Sequence, residues 1–491
     1  MGVSLPTRWA TVMTGALITL GVGVRAFPLL AGDMFRAGIH MYDDGVYVAA
    51  AALFVRGATP YHDFVLVHPP GLLLFLSPIA WLEPARAYAA ARWLFVGVGA
   101  INLCLTAVVE RRWLGAWPAV VAVATYALLP DVVVYERGAF LEPLLNLGAF
   151  ALLVLARRPP SRSMYMAMGV TVAAMCCVKL TGALWAVPVA WWLLSKGGLR
   201  ALGWSVVAAL VAGSLVAAPF ALHDPVAFFD DIVRFHLARP PDGGAEVWRR
   251  VFLLWMRSWA LIGFFGFAVF AAVITRTPPT TNERTLGVLW SLATLALVGG
   301  MLAAKTFWIE YSSALGPLQA IAMALSVSVL LRVRTNTMFR VAMVALALGV
   351  GFVRIALVRR ALTGPPDVLN SVQFLQGSLA STNACVTAME PAGLLALNRL
   401  PAGPDLVVDT YGDLLVIATR NGGPASNVAE AFARDAVQAR FRAIVSRCEW
   451  SLWGWRGDFQ STHETRDWAR SVGDFDFPVA GGEGISVFHR K

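Results

Sequence analysis

Charge is what this chain has least of. Only 14% of its 491 residues are Asp, Glu, Lys or Arg, where a soluble domain carries about a quarter. Against that, 58% are hydrophobic and the mean hydropathy is +0.64. This balance excludes a soluble cytosolic enzyme and a disordered chain. Cysteine is also scarce, and five residues are too few for a disulfide-stapled secreted module. No GxxxxGK[ST], no GxGxxG after a strand and no GxSxG occurs, so nucleotide-driven pumping and a hydrolase triad lack their defining loops. The first apolar segment has only Arg8 before it and no small-residue cleavage site, the pattern of a retained anchor rather than a signal peptide.

What the chain does have is long apolar runs. A helix crossing a bilayer needs ~17–25 mostly apolar residues. Eleven segments fit: roughly 9–30, 88–109, 114–132, 140–156, 163–178, 180–195, 202–222, 251–275, 286–304, 312–331 and 340–358. Residues 71–82 are too short and are interrupted by Pro78, so they are expected to re-enter or lie at the surface. Loop charge then sets the orientation. The loops 1–8, 110–117, 157–162, 195–201, 276–285 and 332–340 together hold 13 Arg/Lys and two acids, Glu110 and Glu283, as cytoplasmic loops do. The N-terminus is expected inside and the C-terminus outside. Basic residues exceed acidic ones by 29 to 16 over 1–362 and fall below them, 11 to 14, over 363–491. The pI of 9.7 thus reflects helix orientation and gives no reason to expect nucleic acid as a partner.

Beyond Gly364, Pro365 and Pro366 the pattern changes. Strand-like runs (384–388, 405–408, 443–447, 484–488) alternate with helix-like ones (391–398, 426–440). The expected fold is an all-α polytopic membrane domain over 1–362, with about 11 transmembrane helices, and a small extracytoplasmic α/β domain over 363–491. In an oxidising compartment Cys385 and Cys448 of that tail have the option of pairing, whereas Cys104, Cys176 and Cys177 lie in apolar stretches. The chain has no internal repeat of the inverted-transporter kind.

Two outward loops, 31–87 and 223–250, are long and polar. The first holds Asp43 and Asp44, then Tyr61-His62-Asp63, then His68-Pro69-Pro70-Gly71. Adjacent carboxylates at a membrane surface suit a general base or a metal-ligand pair. The alternative is an N-cap on a surface-lying helix over 46–55. The second loop places Phe228, Phe229, Ile232, Val233 and Phe235 on one stripe, expected against the bilayer, with Arg234, His236 and Arg239 available to an anionic head group. A third group sits at span ends: Arg137 and Glu142 in YERGAFLEP, Lys179 in a turn, and Lys305 and Glu310 in KTFWIEY. These either line a cavity or form structural pairs, Arg137–Glu142 or Lys179–Glu142. The five histidines of this part lack zinc-helix spacing, and His68 is the one singled out.

An early outward Asp-Asp-Gly-x-Tyr, a Gly-x-x-Pro-Tyr turn and His-Pro-Pro-Gly together resemble the GT-C superfamily of polytopic glycosyltransferases, above all the protein O-mannosyltransferase and lipid A aminoarabinose transferase group with its bacterial relatives. Motif similarity is confined to about 40–75, 135–143 and 223–241. The resemblance implies an integral membrane glycosyltransferase that moves a sugar from a polyprenyl-phosphate donor to a hydroxyl of a glycan, lipid or protein acceptor on the extracytoplasmic face of the cell membrane. Asp43 fits the catalytic carboxylate, with Asp44 its acidic neighbour. Glu142 fits a second acidic position, with Arg137 and Glu310 shaping the site. His68, Arg239, Arg234 and Lys179 are expected near the lipid phosphate. No cofactor follows with certainty, and a divalent cation on Asp43, Asp44 and Glu142 stays open. The chain has Asp-Asp where many relatives have Asp-Glu, and His68 where some have Lys, so the donor sugar stays open.

Two other classes compete. A transporter or flippase of lipid-linked saccharides needs charges deep in several helices, and here Arg25, Arg257 and Arg354 are the ones read as interrupting apolar spans. A non-catalytic subunit would use its tail to bind an envelope polymer, with the aspartates as a cap.

Overall fold

A computed structural model of the chain describes residues 7–30, 42–239, 246–333, 355–358, 386–388, 391–396, 398–400, 408, 416, 450–454, 475–476 and 485–490. Up to residue 333 these are almost entirely helical: α1 (Thr7–Leu30), α2 (Tyr42–Phe54), α3 (Gly71–Ala80), α4 (Pro84–Trp113), α5 (Ala116–Ala127), α6 (Pro130–Tyr135), α7 (Glu142–Leu155), α8 (Arg162–Val178), α9 (Ala186–His223), α10 (Pro225–Phe229), α11 (Phe235–Ala238), α12 (Val247–Ile274), α13 (Thr281–Ala303) and α14 (Gly316–Arg332). Single 3-10 segments, Leu180–Trp185 and Ile309–Leu315, precede α9 and α14.

Among the described residues, five stretches are long and apolar enough to cross a membrane: Thr7–Leu30, Pro84–Trp113, Leu180–His223, Thr281–Ala303 and Ile309–Arg332. A sixth, Val247–Ser258 with Ile262–Phe270, is bent by 73°. The expected spans 140–156 and 163–178 correspond to the shorter apolar helices α7 and α8. The expected span 114–132 is divided, because Pro130 cannot continue α5 and instead opens α6 at its first position. The expected spans 180–195 and 202–222 are two arms of α9, broken at Gly198. Its φ of 62° lies in the left-handed region that side chains disfavour. Most of the expected span 340–358 lies outside the described residues. Residues 71–80 form a ten-residue helix containing Pro78, too short to span, as their length implied.

The large apolar core among the described residues draws on α2, α3, α4, α5, α7, α8 and α14, among others. One polar knot crosses it. Arg25 of α1 donates through Nε to Glu136 Oε2 at 2.8 Å, and Asn102 of α4 and Tyr126 of α5 each donate to Glu136 Oε1 at 2.6 Å. Arg25 Nη1 also reaches the Gly21 carbonyl at 2.9 Å. Arg25, Asn102, Glu136 and Tyr126 are wholly buried, so this ion pair acts without water to screen it. At the other pole, Thr280 and Glu283 form a capping box on α13, and Glu283 pairs with Arg332 of α14.

In the tail, β1 (Val386–Ala388), β2 (Trp450–Gly454), β3 (Phe475–Asp476) and β4 (Ile485–Arg490) form one sheet in the order β1-β2-β4-β3. β1 and β2 are parallel, with Val386 opposite Trp450, and β4 runs antiparallel to both β2 and β3. A short helix, α15 (Pro391–Ala396), follows β1. The strand-like runs at 384–388 and 484–488 coincide with β1 and β4. Trp450–Gly454 had no strand signal strong enough to single it out. The runs 405–408, 426–440 and 443–447, like Cys385 and Cys448, fall almost wholly outside the described residues.

Candidate active site

The site is organised by α2, whose first turn carries both aspartates. They are part of the helix, so neither is an N-cap, and their charge opposes the positive end of the helix dipole. Nor does α2 lie on a surface. Every residue from Val46 to Leu53 is buried, and Ala49 to Ala52 are 0% exposed. Four alanines in succession let neighbouring backbones close around the helix on all sides.

Asp44 is buried inside this packing. Tyr88 donates its hydroxyl to Asp44 Oδ1 at 2.9 Å, and Arg92 donates to Oδ2 through Nη2 at 3.2 Å and Nε at 3.3 Å. Tyr88 and Arg92 are one turn apart on α4, and the guanidinium lies 4.0 Å above the Tyr88 ring, a cation–π contact. Burial pushes the Asp44 carboxyl up to about 6, and Arg92 and Tyr88 limit the rise. Sequence reading missed both partners. Arg92 interrupts the apolar run 88–109 as plainly as Arg25 interrupts the first, and its i, i+4 spacing from Tyr88 was the available signal.

Asp43 is half-buried and belongs to an acidic group. The Tyr135 hydroxyl at the end of α6 is pushed far up by burial and then by the charges of Glu310, Glu142 and Asp43. Three carboxylates, from α2, α7 and the segment before α14, therefore act electrostatically on one phenol. The charge of Arg137 works against theirs on Tyr135, and burial and the nearby Arg92 bring Arg137 down to about 10.

Glu142 begins α7 and accepts from Lys179 Nζ at 2.7 Å. Of the two structural pairs open at the sequence level, the Lys179–Glu142 one forms. Lys179 Nζ also lies 3.7 Å above the Tyr311 ring. Burial opposes the ammonium charge, but Glu142 and Tyr311 outweigh it and keep the group protonated. Lys179 can hold an extended backbone (φ −153°, ψ 134°) because it stands between α8 and the 3-10 turn that follows.

The cationic side is built from two chain segments. His68 lies between Tyr47, at 5.8 Å, and His236, at 5.7 Å, between ring centroids, and its carbonyl accepts from the Tyr61 hydroxyl at 2.9 Å. Burial, then His236, Lys179 and Arg239, push the His68 imidazole well below its ordinary value. His68 is therefore a neutral hydrogen-bonding group, where a charge had been expected to balance phosphate. His236 Nε2 donates to the Val67 carbonyl at 2.8 Å, and burial takes it to about 4 despite that bond. Arg239 is buried, its guanidinium 5.1 Å above the Phe235 ring. Arg234 is different: half of its side chain is exposed, and it pairs with Asp230 at 3.7 Å on its own helical turn.

The segment from 225 to 239 also departs from the expected lipid-facing stripe. Ile232 and Phe235 are buried in protein, and only Phe229 of the stripe is exposed. The π-helical turn Asp230–Arg234 advances the chain beyond the α-helical period. The segment is tied to the loop between α2 and α3 instead. Asp231 Oδ2 accepts from the Leu66 N–H at 3.1 Å, and His62 Nδ1 lies 3.2 Å from Asp224 Oδ2.

The set Asp43, Asp44 and Glu142 does not suit a metal ion. Both Asp44 oxygens are engaged by Tyr88 and Arg92, and a Glu142 oxygen by Lys179. Among the described residues no group of three or more His, Cys, Asp and Glu is placed to hold an ion.

Neither a protein-family model nor a curated protein sequence matches the chain. Solved structures do. ArnT from Cupriavidus metallidurans bound to undecaprenyl phosphate is similar over 99% of this chain and 98% of its own, at 14% identity and a TM-score of 0.63. The Archaeoglobus fulgidus oligosaccharyltransferase in its apo form is similar over 90% of this chain and 69% of its own, at 12% identity and a TM-score of 0.59. The same organism's oligosaccharyltransferase AglB, in complex with an inhibitory peptide and a dolichol-phosphate, covers 98% of this chain and 74% of its own, at 10% identity and a TM-score of 0.53. The chain thus shares the fold of these solved structures, which are matched over nine-tenths or more of its length.

Proposed function

We propose that the protein is an integral membrane glycosyltransferase that moves a sugar from a polyprenyl-phosphate donor to a hydroxyl acceptor on the extracytoplasmic face, with Asp43 as general base. One observation carries this reading. An anionic group (Asp43, Glu142, Glu310) and a cationic one (Lys179, Arg239) adjoin around Tyr135 and Tyr311. That polarity matches a substrate with a hydroxyl to deprotonate at one end and a phosphate to release at the other. The structural neighbours that bind undecaprenyl phosphate and a dolichol-phosphate support a lipid carrier.

In this reading Asp43 takes the proton of the acceptor hydroxyl as its oxygen attacks the anomeric carbon. The carbon–oxygen bond to phosphate breaks on the opposite face, and configuration inverts. Arg239 and Lys179 balance the departing phosphate charge, and neutral His68 serves as a hydrogen bonder. The membrane domain is 1–362, oriented by its arginine-rich cytoplasmic loops, and 363–491 is an extracytoplasmic α/β domain. The test is sugar transfer by the purified protein from labelled polyprenyl-phosphate sugars. Asp43→Asn should lower the rate ~10²–10⁴-fold. Near-full transfer by a well-expressed Asp43→Asn protein overturns the assignment.

A further inference from the structure

The tail touches the catalytic frame at two places, and neither is explained by the tail's own folding. The first is Gly45, next in sequence to the aspartates. A Cβ built there would lie 2.6 Å from the Ala392 nitrogen, 2.8 Å from its Cβ and 2.9 Å from its Cα, distances no side chain tolerates. The backbone of α15 is thus pressed against the first turn of α2, and Ala392, Leu394 and Leu395 are buried there.

The second contact is at α4. Its N-cap residue, Glu83, makes no side-chain cap, which leaves first-turn N–H groups to be satisfied from elsewhere. Asn398 from the tail supplies one partner: its Oδ1 accepts from the Ala85 N–H at 3.2 Å. Asn398 is fixed for this by closing α15. It has φ 57°, and its N–H and that of Arg399 return to the Leu395 and Leu394 carbonyls at 2.9 Å. α2 bears Asp44, and α4 bears the Tyr88 and Arg92 that hold it. One eight-residue stretch of tail therefore grips both halves of the lock that orients Asp43.

We infer that residues 391–398 are a clamp on the catalytic helix, with Ala392 and Asn398 as positioning residues that fix Asp43 without touching substrate. The inference deepens the transferase reading and rests on it, because Asp43 has to be placed for the reaction. It gives the tail a part in catalysis apart from any binding of acceptor.

The test uses the full-length protein in detergent and two readouts. Ala392→Leu pushes α15 off Gly45. Asn398→Gly removes the cap on α4 but keeps the positive φ, and Asn398→Asp keeps both the acceptor and the φ. For Ala392→Leu, kcat should fall about 10²-fold, the usual cost of misplacing a reacting group by ~1 Å, with KM for donor little changed. Amide hydrogen exchange should rise in α2 and at the start of α4. Asn398→Gly should show the same direction with smaller size, and Asn398→Asp should restore wild-type behaviour. Wild-type exchange and kcat in folded Ala392→Leu and Asn398→Gly proteins overturn the clamp. If Ala392→Leu does not fold, the two Asn398 variants decide alone. If the wild type transfers no sugar, the transferase reading falls, while the exchange measurement still decides whether the tail holds α2.

Discussion

Replacing Arg92 with Met is the sharpest probe of the lock. In the wild type, Asp44 rises from its ordinary 3.8 to about 6 in the folded state. Between those two pH values the native protein binds more protons than the unfolded chain. Stability therefore falls as pH rises through that window, by about 3 kcal/mol in all, and levels off above it. Arg92 is what limits the rise, and both it and Asp44 are about 1% exposed. With Met at 92, only the Tyr88 hydrogen bond still opposes burial, and the Asp44 carboxyl climbs further. The decline in stability then continues above pH 6 into the neutral range. Removing one partner of a buried ion pair costs about 3–5 kcal/mol, so that is the deficit expected at neutral pH. At pH 5, where Asp44 is protonated in both proteins, the deficit should shrink. The assay is thermal melting of the detergent-solubilised protein across this pH range, with Arg92→Met/Asp44→Asn as the companion variant. The double variant should recover most of the loss at neutral pH. A single variant that melts like the wild type at neutral pH, or with the same deficit at every pH, refutes the reasoning.

The cationic side makes a contrasting pair of predictions. Arg239→Ala should raise KM for a polyprenyl-phosphate donor by about 10- to 100-fold, the worth of a charge-assisted hydrogen bond to phosphate, whereas exposed Arg234→Ala should change it little; equal effects would mean the donor lies elsewhere. Glu136→Ala should destabilise the protein by about 3–5 kcal/mol, since it strands the buried Arg25, and melting measurements check it. Gly198→Ala, at φ 62°, should cost about 1–2 kcal/mol of stability, and an unchanged melting temperature would show that the backbone can relax there.

Much of this was legible in the sequence because membrane burial leaves blunt signals. Apolar length located α1, α4, α13 and α14, and the oddity of polar letters in a greasy chain singled out Asp43, Glu142, Lys179 and Arg239 as candidates. What periodicity misjudged were the neighbours that decide direction. The stripe over 228–235 was expected to face lipid, but an apolar stripe looks the same whether lipid or protein covers it, and Asp231 and His236 anchor this one to the first loop. His68 was expected near the lipid phosphate because it stands where relatives have a basic residue, and burial beside His236, Lys179 and Arg239 lowers its imidazole well below the ordinary value. Tyr88 and Arg92 went unremarked because a run of 22 apolar-looking positions hides a polar pair that faces inward. The grip of residues 391–398 on α2 and α4 joins positions more than 300 apart in the chain, a distance at which no local pattern speaks.

Successive side chains on a helix diverge by about 100°, so two aspartates in a row can never look into the same space. When α4 captures the second, the first is aimed by geometry alone, much as a key's bow fixes where its teeth point. A one-residue insertion or deletion between Tyr47 and Ala49 would keep every letter of the motif and still turn the first carboxylate away from Tyr135. Spacing to the alanine run, more than the identity of either acid, is the quantity that chains built on this plan have to preserve.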